Sequence, residues 1–267
     1  NIMSCTFHKD KEYKEVKVYA YFIERSEKVM AAVGVHGEVE ILDTGQEGEI
    51  IIEEARVRAF LRMLRIGEGT DGVKGYTKLF GGKDFTKPPF NKDMSDHPRI
   101  KRPFGKKKSS AAGAYQVMGY TWDDDDMIKK RKKYNINDFS PANQDKFAVI
   151  LLKYKRAATA KKPTSLLDLI IKNEIEKGLK WHGSYEWASL PPGRYGQPAK
   201  TMEQALKLYE YYLKEELSGK TDLFLKNGFL KEFGYKFNYK DAEGKAQKQD
   251  STIPPSNEDS SETLNDE

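Results

Sequence analysis

Two hydrophobic periods divide the chain. Between residues 13 and 52, Val16, Val18, Ala20 and Phe22 interleave with Lys17, Tyr19 and Tyr21, and Val39, Ile41 and the run Ile50 to Ile52 follow between glycine-containing turns. Successive side chains of a strand point to opposite faces, so a period of two predicts strands, here a small β appendage. From Glu53 the period lengthens. Val57, Phe60, Leu61 and Leu64 fall at i, i+3, i+4 and i+7, the stripe of an amphipathic helix with one face turned to a core, and a domain boundary is expected near residue 53.

Residues 72 to 110 break this regularity with Gly, Pro, Lys and aromatics; Phe80-Gly81-Gly82-Lys83 reads as a hairpin turn and Lys101 to Lys108 as a basic loop, giving a β-loop lobe between helices. Helices dominate after residue 110. Thr121 to Lys133 carries Asp123 to Asp126 first and Lys129 to Lys133 last, which complements a helix dipole. Ser140-Pro141, Ser165 with Asp168, and Thr201 with Gln204 announce three further helix starts. Leu223 to Phe237 reads as a terminal helix, and beyond Asp241 the Ser, Pro, Asp and Glu content is that of a disordered tail. The expected organisation is a β-rich appendage at 1–53, a catalytic domain at 54–217, a helical extension at 218–240 and an acidic tail at 241–267. The fold class is α+β, mainly α.

Composition narrows the chemistry. With 38% apolar residues among 267, the chain can bury a core. No run reaches the roughly 18 to 20 apolar residues of a membrane span, and no basic-then-apolar leader opens the sequence. It begins at Asn1, which suggests a piece of something longer. One cysteine, Cys5, allows no intrachain disulfide, and His8, His36, His97 and His182 have no metal-ligand spacing, so neither metal nor cofactor is expected. Net charge is +5, but residues 241 to 267 hold eight acids against two lysines, a balance of −6 that leaves +11 on the rest. A basic body draws polyanions, whether nucleic acid, anionic lipid or a carboxylate-bearing cell wall.

One carboxyl stands out. Carrying the helical stripe forward at 100° per residue from Val57 brings position 68 about 20° from it, so Glu68 is aimed with the core-facing side chains. Gly67 and Gly69 flank it, allow close approach and end the helix. A carboxyl at the negative end of a helix dipole, in partly apolar surroundings, has a raised pKa and can stay protonated near neutral pH. Glycoside cleavage requires such a proton donor for the leaving oxygen. A plain ion pair or turn cap would more readily account for the same position, and periodicity cannot take it further.

The segment Arg58-Ala59-Phe60-Leu61-Arg62-Met63-Leu64-Arg65-Ile66-Gly67-Glu68-Gly69-Thr70-Asp71 closely resembles the catalytic segment of the phage lambda endolysin family, glycoside hydrolase family 104. Further blocks recur in the family's order: Ser95-Asp96-His97-Pro98-Arg99, Ala112-Gly113-Ala114-Tyr115-Gln116, Asp138-Phe139-Ser140-Pro141 with Gln144-Asp145, and Trp187-Ala188-Ser189-Leu190-Pro191 leading to Tyr195-Gly196-Gln197. The resemblance spans residues 55 to about 215. It implies a lysozyme-like, two-lobed domain with a saccharide cleft, in which Glu68 is the essential acid of a muramidase, a lysozyme or lytic transglycosylase cutting between N-acetylmuramic acid and N-acetylglucosamine. A transglycosylase forms a 1,6-anhydro sugar and needs one carboxyl, whereas hydrolysis usually needs a second, for which Asp71 is the nearest candidate, ahead of Asp84 and Asp96. By matched position Tyr115, Gln116, Ser189, Tyr195 and Gln197 are expected to bind substrate, and His97 to be structural. Ala114 stands where the phage enzyme carries an arginine.

The partner so implied is the peptidoglycan glycan strand, met in the bacterial periplasm. The β appendage ahead of such a domain suggests the C-terminal part of an antibacterial effector, with type VI secretion machinery and an immunity protein as further partners, or of a phage tail protein. One other reading stays open: a non-enzymatic wall- or nucleic-acid-binding module would use Lys101 to Lys108 and Lys129 to Lys133. Peptide-bond cleavage in the wall would need a zinc or cysteine centre, and neither the histidine spacing nor Cys5 provides one.

Overall fold

The computed structural model describes residues 50–194, 196 and 199–237, together with the backbone of three strands between residues 20 and 43. These strands, β1 (Ala20–Glu24), β2 (Glu27–Val33) and β3 (Val39–Asp43), pair antiparallel in the order β1-β2-β3, with Ala20 opposite Ala31 and Val33 opposite Val39. The expected strand positions Val16 and Val18 and the acidic tail lie outside the described residues. The run at Ile50 to Ile52 is not a strand: Ile52 already begins the first helix.

That helix, α1 (Ile52–Glu68), is the axis of the domain. Val57, Phe60, Leu61 and Leu64 are buried as the stripe requires, and α1 packs against α8 (Met202–Leu217) and α5 (Leu166–Ile171). Gly69 closes it in the left-handed conformation at φ 67°, which glycine adopts without cost, and its N–H bonds the carbonyls of Arg65 and Ile66.

The region after it is the β-loop lobe: a 3₁₀ turn at Val73–Thr77, a turn in which the Gly82 N–H bonds the Leu79 carbonyl, and the hairpin β4 (Arg102–Phe104) with β5 (Lys107–Ser109). The remaining helices are α2 (Gly119–Trp122), α3 (Asp125–Lys133), α4 (Pro141–Ile150) running into a π turn at Leu151–Lys155, α5, α6 (Ile175–Gly178) running into a π turn at Leu179–Gly183, α7 (Ser184–Glu186), α8 and α9 (Phe229–Glu232). The fold is therefore α+β and mainly α.

Helix starts fall where their polar caps stand. Ser165 accepts from the Asp168 N–H, Thr201 and Gln204 form a reciprocal capping box, and Pro141 opens α4 behind Ser140. The expected helix over Thr121 to Lys133 is instead two, because Asp124 caps a fresh start by accepting from the Asp126 and Met127 N–H groups. Leu223 to Phe237 is likewise not one helix. Only Phe229–Glu232 is helical, and Leu223, Leu225, Phe229, Leu230 and Phe233 are buried along an irregular strap. Its N–H groups are satisfied by distant carboxylates instead of by a helix ladder: Glu54 accepts from Gly228 and Leu230, and Asp145 from Phe224.

Candidate active site

The last turn of α1, the turn at Lys78–Gly82, Phe104 of the hairpin and the segment Ala188–Ser189 surround a groove of about 370 Å³. Glu68 stands on its wall, because Gly69 ends α1 one residue later and turns the chain away. Ser189 Oγ donates to Glu68 Oε1 at 2.5 Å, and among the described residues Glu68 has no ion pair. Its pKa is raised: burial penalises the carboxylate, and the Ser189 hydroxyl offsets part of that. Among the described residues no other acid lines the groove. The carboxyl is thus held able to carry a proton at an open surface.

Glycine at 67 makes the bond to Ser189 possible, since a Cβ there would meet Ser189 Oγ at 2.8 Å. Ser189 is carried by the segment after α7, which Trp187 anchors by donating its indole N–H to the Tyr115 carbonyl at 3.1 Å. Behind Glu68, the loop 70–72 is fixed from inside. The buried Arg65 guanidinium donates to the Thr70 and Gly72 carbonyls, and Thr70 Oγ1 donates to the Ala114 carbonyl at 2.5 Å. Ala114 is itself fully buried, where a longer side chain would meet the core.

The other expected site residues separate into groups. Gln116 lines the groove; its backbone takes a positive φ of 46°, and Nε2 donates to the Lys78 and Gly113 carbonyls, which leaves Oε1 as an uncommitted acceptor among the described residues. Tyr115 is not a cleft residue in its side chain. Its ring is buried, and its hydroxyl donates to Asp145 at 2.6 Å, so the polar tip that would have met a sugar is spent in the core. Asp71 is exposed and does not line the groove; Asp84 turns to Thr86 and Asp96 to Arg99 and Trp122, and these donors hold both carboxyls below the usual range despite some burial. Tyr195 and Gln197 lie outside the described residues.

His97 is buried, its Nδ1 accepting from the Arg99 N–H, so Nε2 carries the proton donated to the Val117 carbonyl. Burial holds it neutral, its pKa lowered to about 4. Residues that sequence reasoning did not place in the site also line it: Thr70, Lys78, Phe80 and Phe104. Lys78 Nζ donates to the Gly69 carbonyl at 2.7 Å, a cation at the negative end of α1. An aromatic beside a glycine-rich turn and another at the tip of a basic hairpin were the available signals.

Among the described residues no helix is long and apolar enough to cross a membrane, and no group of three or more His, Cys, Asp or Glu could hold a metal ion. The chain's likeness to known proteins falls on the same stretch that builds the groove. An endolysin family profile matches residues 58–214. The endolysin of Escherichia phage lambda is 36% identical over 147 residues, 52% of this chain and 80% of that protein. The endolysin of Escherichia phage P2 is 32% identical over 171 residues, 60% of this chain and 94% of that protein. No solved structure matches the chain. By the extent of the profile match, more than half of the chain, and the coverage of most of both relatives, this chain belongs to the endolysin family.

Proposed function

We propose that this chain cleaves peptidoglycan glycan strands between N-acetylmuramic acid and N-acetylglucosamine, with Glu68 as both proton donor and proton acceptor. The observation that carries the reading is a carboxyl raised in pKa, free of any ion pair among the described residues and opening on a groove. In the first step the Glu68 O–H protonates the glycosidic oxygen while the bond from that oxygen to the muramic C1 breaks, leaving positive charge at C1. Glu68, now a carboxylate, then takes the proton of the sugar's own 6-hydroxyl as that oxygen bonds to C1. The products are a free 4-hydroxyl and a 1,6-anhydro end.

The anhydro route is favoured over hydrolysis because Glu68 is the one acid among the described groove-lining residues; Asp71, the expected second carboxylate, stands off the lining. Ser189 holds the Glu68 carboxyl in one orientation, and Gln116 Oε1 offers an acceptor for a sugar hydroxyl or amide N–H. The phage endolysin relatives support a lysis setting. Delivery as an antibacterial effector would call on the same chemistry at the same wall.

The test is digestion of purified peptidoglycan followed by mass spectrometry of the muropeptides. Products lighter by one water than hydrolysed ones are expected. Glu68→Gln, close in shape and unable to donate a proton, is expected to lower release by at least about a hundredfold while the fold, read by circular dichroism, is kept. Retained activity in that variant overturns the assignment, and muropeptides with reducing ends overturn the anhydro route.

A further inference from the structure

We propose that the β4–β5 hairpin reads negative charge on the strand being cut, so that the preferred substrate is a glycan whose stem peptides keep free carboxylates. This rests on the function proposed above and goes beyond it. The residues Lys101 to Lys108 hold five cations and no acid. Pairing fixes which of them shares a face with the groove-lining Phe104. Residues directly opposite in an antiparallel pair share a face, and Phe104 is opposite Lys107 while Arg102 is opposite Ser109. Phe104 lines the groove, Ser109 is buried, and Arg102 lies over the Phe90 ring at 5.6 Å, so this face is the inward one. Lys107 therefore stands on the groove side at the hairpin tip. It is exposed, and among the described residues its side chain makes no ion pair or hydrogen bond.

The second observation is aromatic. Phe104 is a large apolar ring left 42% exposed, and it is held edge-on by Phe80 across the groove margin with ring centroids 5.1 Å apart. An exposed ring of this kind offers a surface for the apolar face of a sugar. Next to it, a free ammonium requires an anion close to the ring of the same sugar unit. On a muramyl residue the lactyl ether carries the stem peptide, whose carboxylates lie within reach of a flexible lysine. Lys78 also lines the groove, and Glu68 is the one acid among its described lining residues. A lipid or teichoic phosphate would be drawn to any basic face of the protein, whereas the face carrying Phe104 and Lys107 looks onto the strand.

The experiment compares two substrates on the full chain: purified peptidoglycan, and the same material with its carboxylates converted to amides by carbodiimide and ammonium. Unmodified wall is expected to be cut about three- to fivefold faster, the worth of one exposed ion pair. In Lys107→Gln this ratio is expected to fall towards one, and in Lys107→Glu to drop below one. Lys132→Gln on α3 removes the same charge away from the groove and is expected to leave the ratio as it was. Equal rates on both substrates overturn the inference while leaving the muramidase reading intact, and so does an equal loss in the Lys107 and Lys132 variants, which would assign the preference to net charge alone. Activity surviving Glu68→Gln would instead remove the function beneath it.

Discussion

At the scale of single residues, the site is a balance between burial and one hydroxyl. Burial pushes the Glu68 pKa up and the Ser189 Oγ–H, which stabilises the carboxylate, brings it part of the way back. Ser189→Ala is therefore expected to raise it further. On the proposed mechanism the proton-bearing form is the one that acts, so the alkaline limb of the pH–rate profile should move to higher pH, and a limb that stays or moves down would show that Ser189 does not set this acidity. Gly67 tests the same contact from the other side. An alanine inside a helix is ordinarily more stable than glycine by about 0.8–1 kcal/mol, but here the added Cβ would meet Ser189 Oγ at 2.8 Å. Gly67→Ala is thus expected to keep or raise the melting temperature while cutting activity, a split that thermal melts and turnover on peptidoglycan read separately.

At the scale of elements, the groove stands on a buried polar knot that joins five segments. Asp145 of α4 accepts from the hydroxyls of Tyr76 and Tyr115 and from the Phe224 N–H, with Arg65 beside Tyr76. Burial raises the Asp145 pKa to about 6 against that donor set. A raised carboxyl contributes stability that is whole below its ordinary value of 3.8 and lost as pH rises through about 6. His97, lowered to about 4 by burial, has the opposite sign: its contribution is whole above 6.5 and lost as pH falls through about 4. The two slopes oppose each other across the same window. Asp145→Asn is expected to cost about 1–3 kcal/mol at neutral pH, where one donor meets an amide N–H₂. It should also uncover the His97 slope, seen as a steeper fall in melting temperature from pH 6.5 to 4. Little of this knot was legible in the sequence. The α1 stripe, the caps at Ser165 and Thr201 and the direction of Glu68 follow from local periodicity and side-chain reach. The partners of Asp145 lie 30 to 79 positions away, where spacing carries no signal. Tyr115 shows the same limit: its matched position in the family suggests the cleft, and only the fold reveals that its hydroxyl is already spent.

At the scale of the whole molecule, the endolysin profile ends at residue 214 but the core does not. The strap from Leu223 to Phe233 buries five large side chains and supplies three N–H groups to Glu54 and Asp145, while Arg58 of α1 donates back to the Leu225 carbonyl and Asn227. Its apolar stretch reads as a helix from composition because irregular chain satisfied by distant carboxylates has no period of its own. Each such side chain is worth about 1.5–3 kcal/mol on burial, so the strap contributes an amount comparable to the roughly 5–15 kcal/mol that holds a domain folded. Removing residues 220–237 would also leave buried Glu54 with two fewer donors. A chain cut after Gly219, although it retains every described groove-lining residue and the full stretch matched by the endolysin profile, is expected to lose its cooperative thermal transition. The full chain, melted alongside, supplies the reference transition. If the shorter chain melts like the longer one, the strap is an ornament and the endolysin stretch folds alone; if it does not, the strap belongs to the structure that keeps Glu68 at its groove.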